Sequence, residues 1–299
     1  MENYSRTDLA CETVRRGSGF SGGRSYREEV IGDCRIERMR LDGTEWGGES
    51  ARPAGWYITL HTPPLWQLEG EERADAVTLL AAELRRLATL VCGREPDEAL
   101  SVMVVGLGNA DITADAVGPR TVRGLTATRH LADHDKNIFR LLGRCRLSAI
   151  APGVLGQTGV EAADLVRGAA DSVHPDLMVA IDALAARSVE RLACTVQLSD
   201  TGICPGSGIG NRRRAIDRES MGCPVISLGI PTVVDSSTLV YDALCRAGIG
   251  REAVGAELRE VLENGKRFYV SPKESDLIAA RTAELLAEGI EEAFSLGGV

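Results

Sequence analysis

Ser101-Val-Met-Val-Val-Gly-Leu-Gly-Asn109 decides the fold. A charge-free apolar run of this length fits a strand buried on both faces, and its glycine-rich end fits the turn from such a strand into a helix. The next segment, Ala116–Leu125, has a helical pattern, and the same grammar then repeats. Leu147–Ile150 is an apolar run ending in Ala-Pro-Gly, and Leu177–Ile181 is another that ends at Asp182. Thr195–Leu198 and Pro224–Leu228 read as further strands, while Val160–Ala170, Leu184–Arg191 and Ser237–Ala247 read as helices. Short apolar strands alternating with helices predict a single three-layer α/β/α domain with a mainly parallel sheet.

Toward the N-terminus the pattern differs. Residues 1–33 are polar and rich in glycine, as in Gly17-Ser-Gly-Phe-Ser-Gly-Gly-Arg-Ser25, and read as an arm or loop. Cys34–Leu41 and Trp56–His61 alternate apolar with polar residues, as half-buried strands do. Glu71–Cys92 repeats its apolar positions every three or four residues and reads as an amphipathic helix. The tail Pro272–Phe294 reads as one more, with Ser271-Pro-Lys-Glu as its start signal.

Composition narrows the function. The 299 residues carry 34 Lys+Arg against 43 Asp+Glu, a net charge of −9, and are 44% apolar. That is enough for a substantial core and too apolar for general disorder. The acidic balance and an aromatic content of only 4% argue against a nucleic-acid surface. No apolar run reaches the ~18–20 residues of a membrane span, and the start lacks the basic and apolar regions of a secretory signal. The eight cysteines come no closer than nine intervening residues. A Cys-based zinc site is therefore not expected, and reduced thiols in a cytoplasmic protein are.

In an open α/β sheet the ligand crevice lies beyond the carboxyl ends of the strands. That rule selects Gly106–Asn109, then Thr113-Ala-Asp-Ala-Val-Gly-Pro119, and the end of Leu177–Ile181. Asp115 and Asp182 are thereby expected to converge. Each also has a plainer reading, Asp115 as an N-cap or first-turn acid and Asp182 as an ion pair with Arg187 or another base. Gly106-Leu-Gly-Asn109 lacks the third glycine of a dinucleotide fingerprint, Asp111 standing in its place. Gly206-Ser-Gly-Ile-Gly-Asn-Arg-Arg-Arg214 lacks the Lys-Ser/Thr ending of a phosphate loop. It reads as a glycine loop with a solvated basic run, or as a loop facing an acidic peptide. His130 at a helix end has a structural and a catalytic reading.

An ordered set of segments resembles the spore germination protease family. It runs through Arg6-Thr-Asp-Leu-Ala10, Val105-Gly-Leu-Gly-Asn109, Thr113–Pro119, Thr128-Arg-His-Leu131 and Ala151-Pro-Gly-Val-Leu-Gly-Gln-Thr-Gly159. It continues with Ile181-Asp-Ala-Leu-Ala-Ala-Arg-Ser-Val-Glu-Arg191, Gln197-Leu-Ser-Asp-Thr-Gly-Ile203, Pro205–Arg212, Gly229-Ile-Pro-Thr-Val-Val-Asp235 and Ser271-Pro-Lys-Glu274. The chain departs from the family at Ala114, where proline is common, and in a shorter stretch between Tyr241 and Ser271.

The resemblance implies an endopeptidase that hydrolyses small acid-soluble spore proteins at germination, working in the spore core. It implies an atypical aspartic-type enzyme without cofactor or metal, with Asp115 and Asp182 as the essential pair. It implies a zymogen that removes residues 1–8 by cutting between Asp8 and Leu9. Residues 9–299 would then be the peptidase domain, with an arm and strands over 9–70 and the catalytic core over 100–299. A homotetramer that touches neither nucleic acid nor membrane is expected. Asn109 is the expected oxyanion or substrate donor, with His130 and Arg187 as further supports. The Gly-Leu-Gly-Asn segment is also similar to hydrogenase-maturation endopeptidases, and there Asp115, Asp182 and His130 would bind a metal. An inactive homologue that only holds spore proteins is the non-enzymatic alternative.

Overall fold

The computed structural model describes residues 7–13, 25–43, 52–205, 213–249, 255–265 and 268–296. The strands among them are β1 (Ser25–Ile31), β2 (Cys34–Leu41), β3 (Gly55–His61), β4 (Ser101–Gly106), β5 (Arg146–Ile150), β6 (Leu177–Ala186), β7 (Thr195–Ser199), β8 (Val225–Asp235) and β9 (Tyr269–Val270). The helices are α1 (Ala10–Thr13), α2 (Gly70–Cys92), α3 (Val117–Gly124), α4 (Arg129–His134), α5 (Lys136–Leu142), α6 (Leu155–Thr158), α7 (Ala162–Val173), α8 (Arg218–Met221), α9 (Ser236–Arg246), α10 (Ala256–Gly265) and α11 (Ser275–Ala293). All strands join one sheet in the order β1-β2-β3-β7-β8-β6-β4-β5, with β9 added beside β8. The strands β8, β6, β4 and β5 are parallel neighbours. From β8 outward through β7, β3, β2 and β1 every pairing is antiparallel.

The period-two rule builds the layers. Val102 and Val104 point into a core shared with Leu84 of α2 and with Leu285, Leu286 and Ile290 of α11. Their neighbours Met103 and Val105 point into a second core with Val166 and Ala170 of α7 and Met221 of α8. A strand apolar on both sides must be covered on both sides, and the single α/β domain expected from residues 101–109 follows. Among the described residues no helix is long and apolar enough to cross a membrane.

Several expectations need correction. Ser25–Ile31, assigned to the arm, forms β1, paired from Ser25↔Arg40 to Ile31↔Cys34 through a turn at Gly32-Asp33. Most of its residues are exposed, so this edge strand lacks the apolar alternation that marks β2 and β3. The strand that starts at Leu177 does not stop at Asp182 but runs on to Ala186. No helix covers residues 184–191. Leu184, Ala185 and Ala186 instead extend β6 alongside Pro231, Val233 and Val234, across a register shift between Leu184 and Ala185. Only a single 3₁₀ turn follows, at Val189–Arg191. The tail helix starts at Ser275, after Glu274, and Ser271 does not cap it. The glycine stretch before Ser25 and residues 206–212 lie outside the described residues. Of the basic run, Arg213 and Arg214 pair with Glu161 and Asp164 at the start of α7, at 3.3 and 2.7 Å.

The turn after β4 fixes the centre of the molecule. Leu107 N donates to Ile181 O at 2.8 Å, tying the turn to β6. The start of α3 crosses immediately above this point. A Cβ on Gly118 would strike the Leu107 carbonyl oxygen, with Leu107 N at 2.8 Å and Ile181 O at 2.9 Å. These obstacles are all backbone, which has no rotamer to yield. We therefore expect Gly118→Ala to lose about 2–4 kcal/mol of stability, seen as a lower urea midpoint, whereas the open position Gly168 tolerates alanine and gains from its helix propensity.

Candidate active site

Asp115 closes a 3₁₀ turn, Thr113–Asp115, between β4 and α3. Its side chain turns back to the β4 loop, where its Oδ2 accepts the Asn109 N–H at 2.7 Å. Asp115 does not cap α3, where Ala116 occupies the N-cap position and no side chain caps it, but it does stand as an acid in the 3₁₀ turn that leads into that helix. Gly108, at φ +112°, makes the contact possible, since a Cβ there would strike the Asp115 carbonyl and stand 2.9 Å from Asp115 Oδ1.

Asp182 lies within β6, opposite Gly229 of β8. It is only 7% exposed, and its Oδ1 accepts the Ala183 N–H at 3.0 Å. Burial pushes this carboxyl well above its ordinary value, and the neighbouring charges of Asp115 and then Asp8 push it further. Asp115 is also raised by burial, against which the Asn109 N–H holds it down. Two carboxyls out of water and within each other's field form a pair that holds a proton more readily than either alone. Arg187 is exposed past the end of β6, where its backbone N–H donates to Glu12 Oε2 at 2.8 Å.

The other expected supports divide. Asn109 sits beside Asp115, but it is the backbone N–H that reaches the carboxylate. Its side-chain oxygen accepts from Asp111 N at 2.9 Å and Gln157 Nε2 at 2.8 Å. His130 is exposed on α4. That helix is anchored by Thr128, whose Oγ1 donates to Cys145 O at 2.6 Å and accepts from Leu147 N at 2.9 Å, at the start of β5. The aspartates stand at the carboxyl ends of β4 and within β6, so His130 lies at the opposite end of the strands. Among the described residues no three His, Cys, Asp or Glu side chains group as a metal ion would need.

Residues 7–13 run across this same region. Asp8 N donates to Ala185 O at 2.8 Å, and Ala185 N donates to Asp8 Oδ2 at 2.9 Å. Leu9 is fully buried among Leu184, Ala186 and Val234, flanked by Leu192, Ile203 and Leu239. Gln197 of β7 grips the main chain on both sides of Leu9. Its Nε2 donates to Asp8 O at 3.2 Å, and its Oε1 accepts from Ala10 N at 2.6 Å. The Glu12 carboxylate accepts from Arg187 N and from Ser188 N, the latter at 3.1 Å. The peptide bond between Asp8 and Leu9 is thus held against the carboxyl end of β6, at Ala185, three residues past Asp182. The sequence marks Asp8 and Leu9 but not Gln197. The one local signal was a polar residue in Thr195-Val-Gln-Leu-Ser199, a strand buried throughout.

Comparison with known proteins identifies relatives of the chain. The germination protease family model matches residues 17–254. The chain is similar to the germination protease of Caldanaerobacter subterraneus subsp. tengcongensis, 38% identical over 98% of this chain and 94% of that one. It is similar to the germination protease of Clostridium perfringens, 36% identical over 95% and 93%. It is also similar to that of Bacillus pumilus, 38% identical over 80% of this chain and 66% of that one.

The raised carboxyl of Asp182 has a consequence for stability. At low pH both the folded and the unfolded chain carry the proton, and burial costs nothing. As pH rises through the ordinary carboxylate value the unfolded chain ionises first, and stability falls until the folded carboxyl ionises too. Asp182→Asn removes this loss. Thermal melts are expected to show parent and variant nearly equal at about pH 3 and the variant more stable at about pH 7, and a gap that does not change with pH contradicts the assignment.

Proposed function

The chain belongs to the germination protease family and so is a peptidase of spore germination, and on that premise we propose that it is a self-processing, aspartic-type endopeptidase. Its substrates are small acid-soluble spore proteins, which it degrades in the spore core. Asp115 and Asp182 are its working pair. The observation that carries the reading is the placement of the buried Asp182 on β6 next to Ile181, whose carbonyl ties down the β4 turn that holds the Asp115 carboxylate.

The environments suggest a division of labour. Asp182 is the more strongly raised and keeps its proton, while Asp115, steadied by the Asn109 N–H, is the partner that ionises. The ionised carboxylate takes a proton from water as the water oxygen attacks the carbonyl carbon. The protonated carboxyl then supplies a proton to the departing nitrogen. Residues 1–8 are the propeptide and residues 9–299 the mature domain, a division supported by the docking of Asp8 and Leu9 against β6. The homotetramer rests on the resemblance alone. The net charge of −9 suits an enzyme that takes DNA-bound substrates without itself engaging the duplex.

Mass spectrometry of the purified chain tests the reading. The parent is expected to lose residues 1–8, and Asp115→Asn and Asp182→Asn are each expected to stay full length, slowed at least about 10³-fold, with an unchanged circular-dichroism spectrum. Processing at the parent rate by either folded variant would sink the pair.

A further inference from the structure

Gln197 stands in a row that the sheet register defines. It is the antiparallel partner of Gly229, and Gly229 is the parallel partner of Asp182. Residues in register on adjacent strands face the same side of a sheet, with strands about 4.8 Å apart. Gln197 and Asp182 therefore look out on the same face, about 10 Å apart across two strand spacings, with a residue lacking a side chain between them. Leu184 leans across that glycine, and Leu9 packs on Leu184. The Asp8–Leu9 peptide bond thus lies between Gln197, which bonds to Asp8 O and Ala10 N, and the carboxyl end of β6, where Asp8 bonds to Ala185, three residues past Asp182.

The orientation of the Gln197 amide is fixed by its partners. Ala10 N–H is a donor only, so the oxygen of the amide must face it, at 2.6 Å. The nitrogen then faces the Asp8 carbonyl oxygen, an acceptor only, at 3.2 Å. That oxygen is the one that gains charge when water adds to the Asp8 carbonyl carbon. The side chain is buried, 7% exposed, where a fixed donor acts more strongly than in water.

Resting on the reading that this bond is cut by the two aspartates, we propose that Gln197 is the oxyanion donor of the reaction. Water oxygen bonds to the Asp8 carbonyl carbon, its proton passes to the ionised carboxylate, and the carbonyl electron pair moves onto the oxygen that Gln197 Nε2 holds. The pair then returns to re-form the carbonyl, the carbon–nitrogen bond to Leu9 breaks, and the nitrogen takes the proton of the second carboxyl. The oxyanion contact thus comes from a side chain on β7, Gln197, whose Nε2 already reaches the Asp8 carbonyl oxygen. Any peptide placed like residues 8–10 would meet the same donor.

The test is the first-order rate at which the full chain loses residues 1–8, in the parent, Gln197→Met, Gln197→Glu and Asp182→Asn. Hydrogen exchange of the Asp8 amide, which donates to Ala185 O, reports whether the segment stays docked. The expected result is a parent that processes, an inactive Asp182→Asn, and Gln197 variants that remain folded and docked yet are slowed about 10²–10³-fold. Gln197 variants that process within a factor of about three of the parent overturn the proposal while leaving the aspartate pair standing. Slow variants in which the Asp8 amide has lost its protection also overturn it, since Gln197 would then only hold the segment. A parent that never cuts, or an Asp182→Asn chain that does, strikes down the underlying reading and the proposal with it.

Discussion

No Cβ has room at Gly118, and the positions of both aspartates depend on that exclusion. The start of α3 lies directly on the Leu107 and Ile181 backbone because nothing projects from Gly118 into the gap. The Leu107 N–H bond to Ile181 O then locks the β4 turn to β6 one residue before Asp182. Asp115 lies three residues before Gly118, so the same crossing draws its carboxylate over Gly108 and onto the Asn109 N–H. A larger residue at the crossing would move α3 outward and take Asp115 with it. The carboxylate pair is thus a consequence of backbone approach, with side chains filling in around it.

Burial at this crossing also sets the chemistry. A carboxylate moved from water to a site like that of Asp182 costs several kcal/mol unless it is paired or keeps its proton. Asp182 has one backbone donor, from Ala183, and two acidic neighbours in its field. The lowest-energy response is to remain protonated. A fold that buries an acid among acids gives up stability at that position, and such positions cluster at functional sites.

Much of this was legible in the residues. Apolar runs closed by glycine or by a lone acid gave the parallel strands, and an acid following Leu-Met-Val-Ala-Ile is costly enough to mark Asp182 at once. What escaped was non-local. Residues 183–186 are small and ambiguous, and only pairing with β8 across its register shift makes them strand. β1 is an exposed edge whose hairpin partner decides it. Gln197 looks like an ordinary polar position in an alternating strand, and its meaning depends on Gly229 and Asp182, neighbours that only the sheet order brings beside it. Asn109 is marked by its place in the glycine turn, but residue type cannot say that its backbone N–H is the group that meets Asp115.

The docked N-terminal segment changes how the groove behaves toward other peptides. Leu9 fills its apolar floor, and Gln197 and Ala185 are already hydrogen-bonded to residues 8–10. A tethered occupant of this kind competes as though present at millimolar concentration, whatever the amount of protein. A free peptide must displace it, and weak ones will not. Its return to the groove is unimolecular and indifferent to dilution, whereas every encounter with a free peptide is bimolecular. The same seven residues that show how a chain lies in the groove therefore also occupy it, and a free peptide meets a site already filled.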